Sequence, residues 1–207
     1  MAAASPSPSE QAARVFALYG LEPSFEIDIP DLEDRLRQAS LAWHPDRFAL
    51  QGEEARLEAE DKMAEFNDAF PLLAEPARRA ELLLNWLGAS PTQGTDAEAG
   101  PEFLMQMMEL REEADEARIA AAQNPAPAQA FIARMRDAEQ TLLHRFAEGF
   151  AALSHDTLAM AGTAAAADAE ASAPVSALRR LFYELRYHQR TREQLELALQ
   201  PGTTPIP

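Results

Sequence analysis

The chain contains no cysteine, which excludes disulfides, thiolate catalysis and any zinc or iron–sulfur site built on thiolates. Long apolar runs are missing too, and no stretch reaches the roughly 18 residues of a membrane span. The opening MAAASPSPSEQ has neither a basic n-region nor a continuous apolar h-region, and it lacks the Arg-rich pattern of a transit peptide. A soluble, cytoplasmic protein is therefore expected. Positive charge is scarce. Lys and Arg number 18 against 34 Asp plus Glu, a formal charge of −16, and Lys62 is the single lysine. That field repels phosphate backbones and anionic lipid heads, and no basic patch overrides it, so neither nucleic acid nor a membrane is expected as a partner.

β-Branched residues are few, and apolar residues recur at spacings of three and four rather than two, which points to an all-α fold. With 207 residues, 47% of them hydrophobic, the chain can build one ordinary domain or two small ones. Breaks at 90–101 (SPTQGTDAEAGP), 123–127 (QNPAP) and 162–174 carry Pro, Gly or small polar residues, and the first is long enough to separate a pair of domains. The expected organisation is a disordered 1–9, a first domain over 10–89, a linker over 90–100, a helical bundle over 101–200 and a disordered tail over 201–207. Helices are predicted over 9–19, 31–43, 53–73 and 76–87, then over 101–122, 128–153 and 175–200. The Ala-rich tract before Pro174 either extends the preceding helix or forms a loop.

Helical spacing names the core. Leu32, Leu36, Ala39 and Trp43 line the second helix, and Leu57, Met63, Phe66 and Phe70 are assigned to the core side of the third. Phe131, Met135, Leu142, Phe146, Phe150 and Leu153 line the sixth, while Leu178, Leu181, Leu185, Leu195 and Leu199 line the last. Pro76 suits a helix start and Gly88 a stop, whereas Pro71 should kink the third helix or end it early.

The first chemistry-bearing element is Trp43-His44-Pro45-Asp46-Arg47-Phe48. Pro45 disfavours helical geometry at His44, so the second helix must end there and display His44 and Asp46 on a turn. A His beside a carboxylate is also what a general base looks like. That reading needs an orienting third group, and His144, His155 and His188 fall in no catalytic or metal-binding spacing, so no enzyme, metal or cofactor is expected. The plain alternative is a Pro-terminated helix with an incidental His. A short helix, an HPD between two antiparallel helices, and Asn67, Ala69 and Phe70 in FNDAFPLL together resemble a J-domain over about 10–88. The resemblance implies docking on a 70-kDa heat-shock-class chaperone and stimulation of its ATP hydrolysis, with His44, Pro45 and Asp46 as the signalling residues. It also implies a basic second helix. Here Arg35 and Arg37 stand among Asp31, Glu33 and Asp34, so docking is expected either to be weaker or to lean more on Arg47.

The second informative stretch is FLMQMMELREE, from Phe103. At 100° per residue, Phe103, Met107, Leu110, Ala114 and Ala117 fall within about 80° of arc and form the core stripe. Leu104, Met105 and Met108 project to the other side, beside Glu109, Glu112 and Glu116. Adaptable Met contacts next to carboxylates suit a basic protein partner, although a bundle that buries two neighbouring arcs would absorb the same residues. Tyr183 and Tyr187 lie off the Leu178 and Leu185 stripe, as interface aromatics often do.

FLMQMMELREEADEA is similar to the FLM-x-x-x-E-x-REE segment of HscB-type co-chaperones, and PARRAELLLNWLG to their P-x-x-RA-x-LL segment. With the HPD, the resemblance runs from about Ala13 to Leu199. It implies a J-domain followed by a three-helix bundle that binds the IscU-type iron–sulfur scaffold and presents it to an HscA/DnaK-class ATPase chaperone. The implied scaffold contacts are Leu104, Met105, Met108, Glu109, Glu112 and Glu116, with Tyr183 on the last helix, or Phe182 or Glu184 if the register shifts by one. Missing the Cys-based N-terminal metal site of eukaryotic members, the chain is expected to be of the bacterial type. The alternatives are a J-domain protein serving a different client and a non-chaperone helical interaction protein.

Overall fold

The computed structural model describes residues 6–48, 50–91, 100–161 and 172–200. Among these, eight α-helices carry the fold and no strand occurs. They are α1 (Pro8–Leu18), α2 (Ile29–Ala42), α3 (Glu53–Ala74), α4 (Pro76–Trp86), α5 (Gly100–Ala120), α6 (Ala126–Ala151), α7 (His155–Met160) and α8 (Ala173–Ala198). A single 3-10 turn, Pro45–Arg47, joins α2 to α3. The stretches 92–99, 162–171 and 201–207, where most of the expected linker, Ala-rich tract and tail fall, lie outside the described residues.

Local chemistry sets the ends. α1 begins at Pro8, inside the stretch expected to be disordered, because Ser7 and Glu10 close a capping box: Ser7 Oγ accepts the Glu10 amide and the Glu10 carboxylate accepts the Ser7 amide. α1 and α4 end alike. Gly20 at φ 63° and Gly88 at φ 80° take the left-handed position, and Leu21 and Ala89 donate back to Phe16 and Leu84. α3 runs through Pro71 to Ala74, so the early end expected at this proline does not occur, and Pro76 opens α4 at once. The short helix α7, capped by Ser154, was not expected from the sequence.

α1 to α4 form the N-terminal half, with α2 and α3 bracketing the HPD turn, and α5, α6 and α8 form a C-terminal bundle. Leu32 and Ala39 of α2 are buried and Trp43 is half-buried against Phe48, ring centroids 5.9 Å apart. Leu57 is a correction. It is 47% exposed because it stands about 120° to 180° around the helix from Met63, Phe66 and Phe70. Elsewhere the core stripes of α6 and α8 are buried or half-buried.

A large hydrophobic cluster joins the N-terminal half to the bundle: Phe16, Phe25, Leu32, Leu73 and Leu84 share it with Phe146, Phe150 and Leu178. Ring pairs mark the seam, Phe25 with Phe146 at 5.5 Å and Trp86 with Phe150 at 6.3 Å. A smaller cluster of Ala117, Phe131, Met135 and Leu195 fills the far end of the bundle. Between α6 and α8 a buried Glu139 takes two hydrogen bonds from Arg192, at 2.7 and 3.3 Å. α5 lies alongside α8 in the same direction: the Tyr187 hydroxyl donates to the Met107 carbonyl at 2.6 Å, and Arg118 lies across from Gln194.

Candidate functional site

Two surfaces stand out, one on each half. At the first, α2 ends as Pro45 demands, with the Trp43 amide bonded to Ala39. Arg47 folds back over the turn: its amide donates to the His44 carbonyl at 2.9 Å and its guanidinium to the Leu41 carbonyl at 2.6 Å. His44 Nδ1 accepts the Asp46 amide at 3.3 Å and lies 3.7 Å from its carboxylate. The Asp46 side chain is 91% exposed, so its charge is open to solvent. Leu41, Leu50 and Leu57, all exposed, come from the segments bracketing this turn.

The basic residues of α2 divide. Arg35 reaches back to the end of α1, donating to the Tyr19 and Gly20 carbonyls at 2.8 and 3.3 Å and to Asp31 at 2.7 Å, a capping task that the sequence did not reveal. Arg37 is exposed and paired with Asp34. Among the described residues no third group orients His44. His144 pairs with Glu148 at 3.4 Å, His155 is exposed on α7, and His188 is half-buried on α8. Burial holds His188 below the usual imidazole range, against the opposing pull of Glu184 and Glu139, and its Nδ1 has no partner among the described residues. Among the described residues no three His, Asp or Glu side chains gather as a cation site.

At the second surface, α5 separates its faces as the spacing requires. Met107 and Ala117 are buried and Phe103, Leu110 and Ala114 half-buried, whereas Leu104, Met105 and Met108 are 45%, 62% and 63% exposed. The bundle does not absorb the surplus. Glu109, Glu112 and Glu116 are exposed beside them. Ile119, which the sequence reading passed over, is 68% exposed and continues the stripe, since 104, 108, 112 and 119 keep helical register. Tyr183 is half-buried next to Phe103 and Gln106, and its hydroxyl donates to the Pro91 carbonyl at 3.1 Å. Phe182 is buried in the core, which removes it as a surface contact.

Arg79 escaped sequence reasoning entirely. Only 5% exposed, it donates to the Leu73, Ala74 and Phe25 carbonyls and stacks over the Phe25 ring. It thereby locks the α3–α4 corner to the loop that meets α6.

The helical N-terminal half joined to a three-helix bundle is similar to known proteins. The family described as the HSCB C-terminal oligomerisation domain matches residues 99–196. The co-chaperone protein HscB homolog of Vibrio vulnificus (strain YJ016) is 42% identical over 101 residues, 49% of this chain and 59% of that protein. The homolog of Shewanella oneidensis is 39% identical over 103 residues, again spanning 59% of its length. Among solved structures, the chaperone HscB from Vibrio cholerae is 30% identical, with 88% of this chain and 95% of that one covered and a TM-score of 0.62. The human co-chaperone HscB, at 22% identity and a TM-score of 0.69 over 90% of this chain and 82% of that one, shares the fold. The chain belongs to the HscB family of co-chaperones.

Proposed function

We propose that this co-chaperone stimulates the ATPase of an HscA/DnaK-class 70-kDa chaperone through its HPD turn and delivers to it an IscU-type scaffold for iron–sulfur cluster assembly. His44, Pro45 and Asp46 carry the signal to the chaperone, with Arg47 holding the turn and Arg37 and Arg35 supplying positive charge on α2. Leu104, Met105, Met108, Glu109, Glu112 and Glu116 hold the scaffold, and Tyr183 adds an aromatic contact from α8. The protein acts as an adaptor, without an active site of its own.

One observation carries the reading: the three apolar and three acidic α5 residues that helical phase places off the core stripe stand exposed together. Leu and Met give area without fixed shape, and three carboxylates give attraction to a basic partner that salt weakens. Because both halves share one core, binding the scaffold and contacting the chaperone on one body raises the effective concentration of each for the other.

The deciding experiment is chaperone ATPase stimulation with and without purified IscU-type scaffold. Stimulation by the chain, its enhancement by scaffold beyond the sum of the separate effects, and its loss in His44→Gln are expected. Stimulation without any scaffold effect would assign the chain to another client. No stimulation by the wild-type chain would leave a helical interaction protein.

A further inference from the structure

Beside the exposed face of α5, on its α8 side, lies an open cavity of about 340 Å³. Arg111, Asp115 and Arg118 of α5 and Tyr187, Arg190 and Thr191 of α8 form its wall. Three guanidinium groups meeting one carboxylate is unusual in a chain with 18 basic and 34 acidic residues. The acidic neighbours that helical spacing offers are already taken. Asp115, four residues after Arg111, turns to Arg118 at 3.5 Å, and Glu193, three after Arg190, lies 3.8 Å from Arg192. Among the described residues neither Arg111 nor Arg190 has an ion pair. Tyr187 is anchored through its hydroxyl to the Met107 carbonyl, so one wall of the cavity is fixed.

Position around α5 gives the cavity its meaning. Counting about 100° per residue from Leu104, the apolar Met108, Ile119 and Met105 lie at about 40°, 60° and 100°. Glu112 stands among them at about 80° and Glu116 and Glu109 rise beyond them at about 120° and 140°, while Arg111 and Arg118 fall on the opposite flank at about −20° and −40°. The apolar stripe therefore runs between a carboxylate ridge and an arginine pocket.

We propose that this pocket receives a carboxylate side chain of the protein partner seated on the α5 face. The inference rests on the scaffold reading above and adds the chemistry of its second flank. A guanidinium fork donates two parallel hydrogen bonds to a carboxylate, which a flexible ammonium does not reproduce. Opposite charges on the two flanks fix the orientation of the docked partner, because a partner turned end for end sets like charges against each other. The matching surface on the partner is basic opposite the glutamates and acidic opposite the arginines.

The test titrates the purified full chain into a purified IscU-type scaffold by calorimetry, at low and at high salt. The chains are the wild type, Arg111→Ala/Arg190→Ala and Leu104→Ala/Met108→Ala, each with a thermal melt. The arginine variant should bind about tenfold more weakly at low salt, with a smaller penalty at high salt and an unchanged melt. Affinity within about twofold of wild type, while the Leu104/Met108 variant loses binding, would overturn the pocket and leave the scaffold reading standing. No binding by the wild-type chain would overturn both. A concentration-dependent dimer of the chain alone that the arginine variant dissolves would put a second copy in the pocket and also overturn the proposal.

Discussion

Arg79 feels the charge of Glu26 but forms no ion pair among the described residues, and three main-chain carbonyls, including the last two of α3, hold it. A helix C-terminus attracts positive charge, and a guanidinium can satisfy several orphan acceptors at once. Arg79→Met keeps much of the volume and strands those acceptors, so a loss of about 3 kcal/mol is expected, readable as a shift in denaturant midpoint at unchanged slope. Nothing in the linear pattern announces this, since the Phe25 carbonyl is 54 residues away. The HPD turn was legible because proline acts on its immediate neighbour. Tyr183 and Tyr187 were legible in direction only. Helical phase places them off one stripe, yet their hydroxyls end at carbonyls of other segments, Pro91 and Met107.

At the scale of elements, the long helices follow from periodicity, with ends displaced by about two residues where caps outweigh pattern. Six-residue α7 is too short to show a period. The α6–α8 crossing adds a detail hidden in sequence. A Cβ built on Gly149 would stand 2.9 Å from Leu178 Cδ2, and Leu178 is buried. Glycine costs helix propensity of roughly 1 kcal/mol here and allows the close approach. Gly149→Ala should therefore leave stability nearly unchanged, the propensity gain offsetting a small shift of Leu178. Gly149→Val should cost about 2 kcal/mol by overpacking, which guanidinium melts of the two variants side by side would measure.

For the whole molecule, the break at 90–101 suggested two domains, whereas the side chains define a common core. Sequence spacing reports which face of a helix is apolar and stays silent on which helix covers it. Phe146 and Phe150 belong to the α6 stripe in either arrangement, and only the fold shows them meeting Phe25 and Trp86. What counts functionally is that the HPD turn and the α5 face are held by one packed interior.

The path out of the J-domain carries one more consequence. Ala89 and Ser90 are buried, and the Pro91 carbonyl is fastened to Tyr183 of the last helix, so the two halves grip each other independently of the peptide link between them. Cutting the chain between Pro91 and Gly100 should then yield a nicked protein rather than two pieces. Fragments ending and starting there, produced separately and mixed, should co-elute at the size of the parent and regain its single melting transition. Elution as separate species would mean that covalent tethering, and not the shared interior, keeps the halves in place.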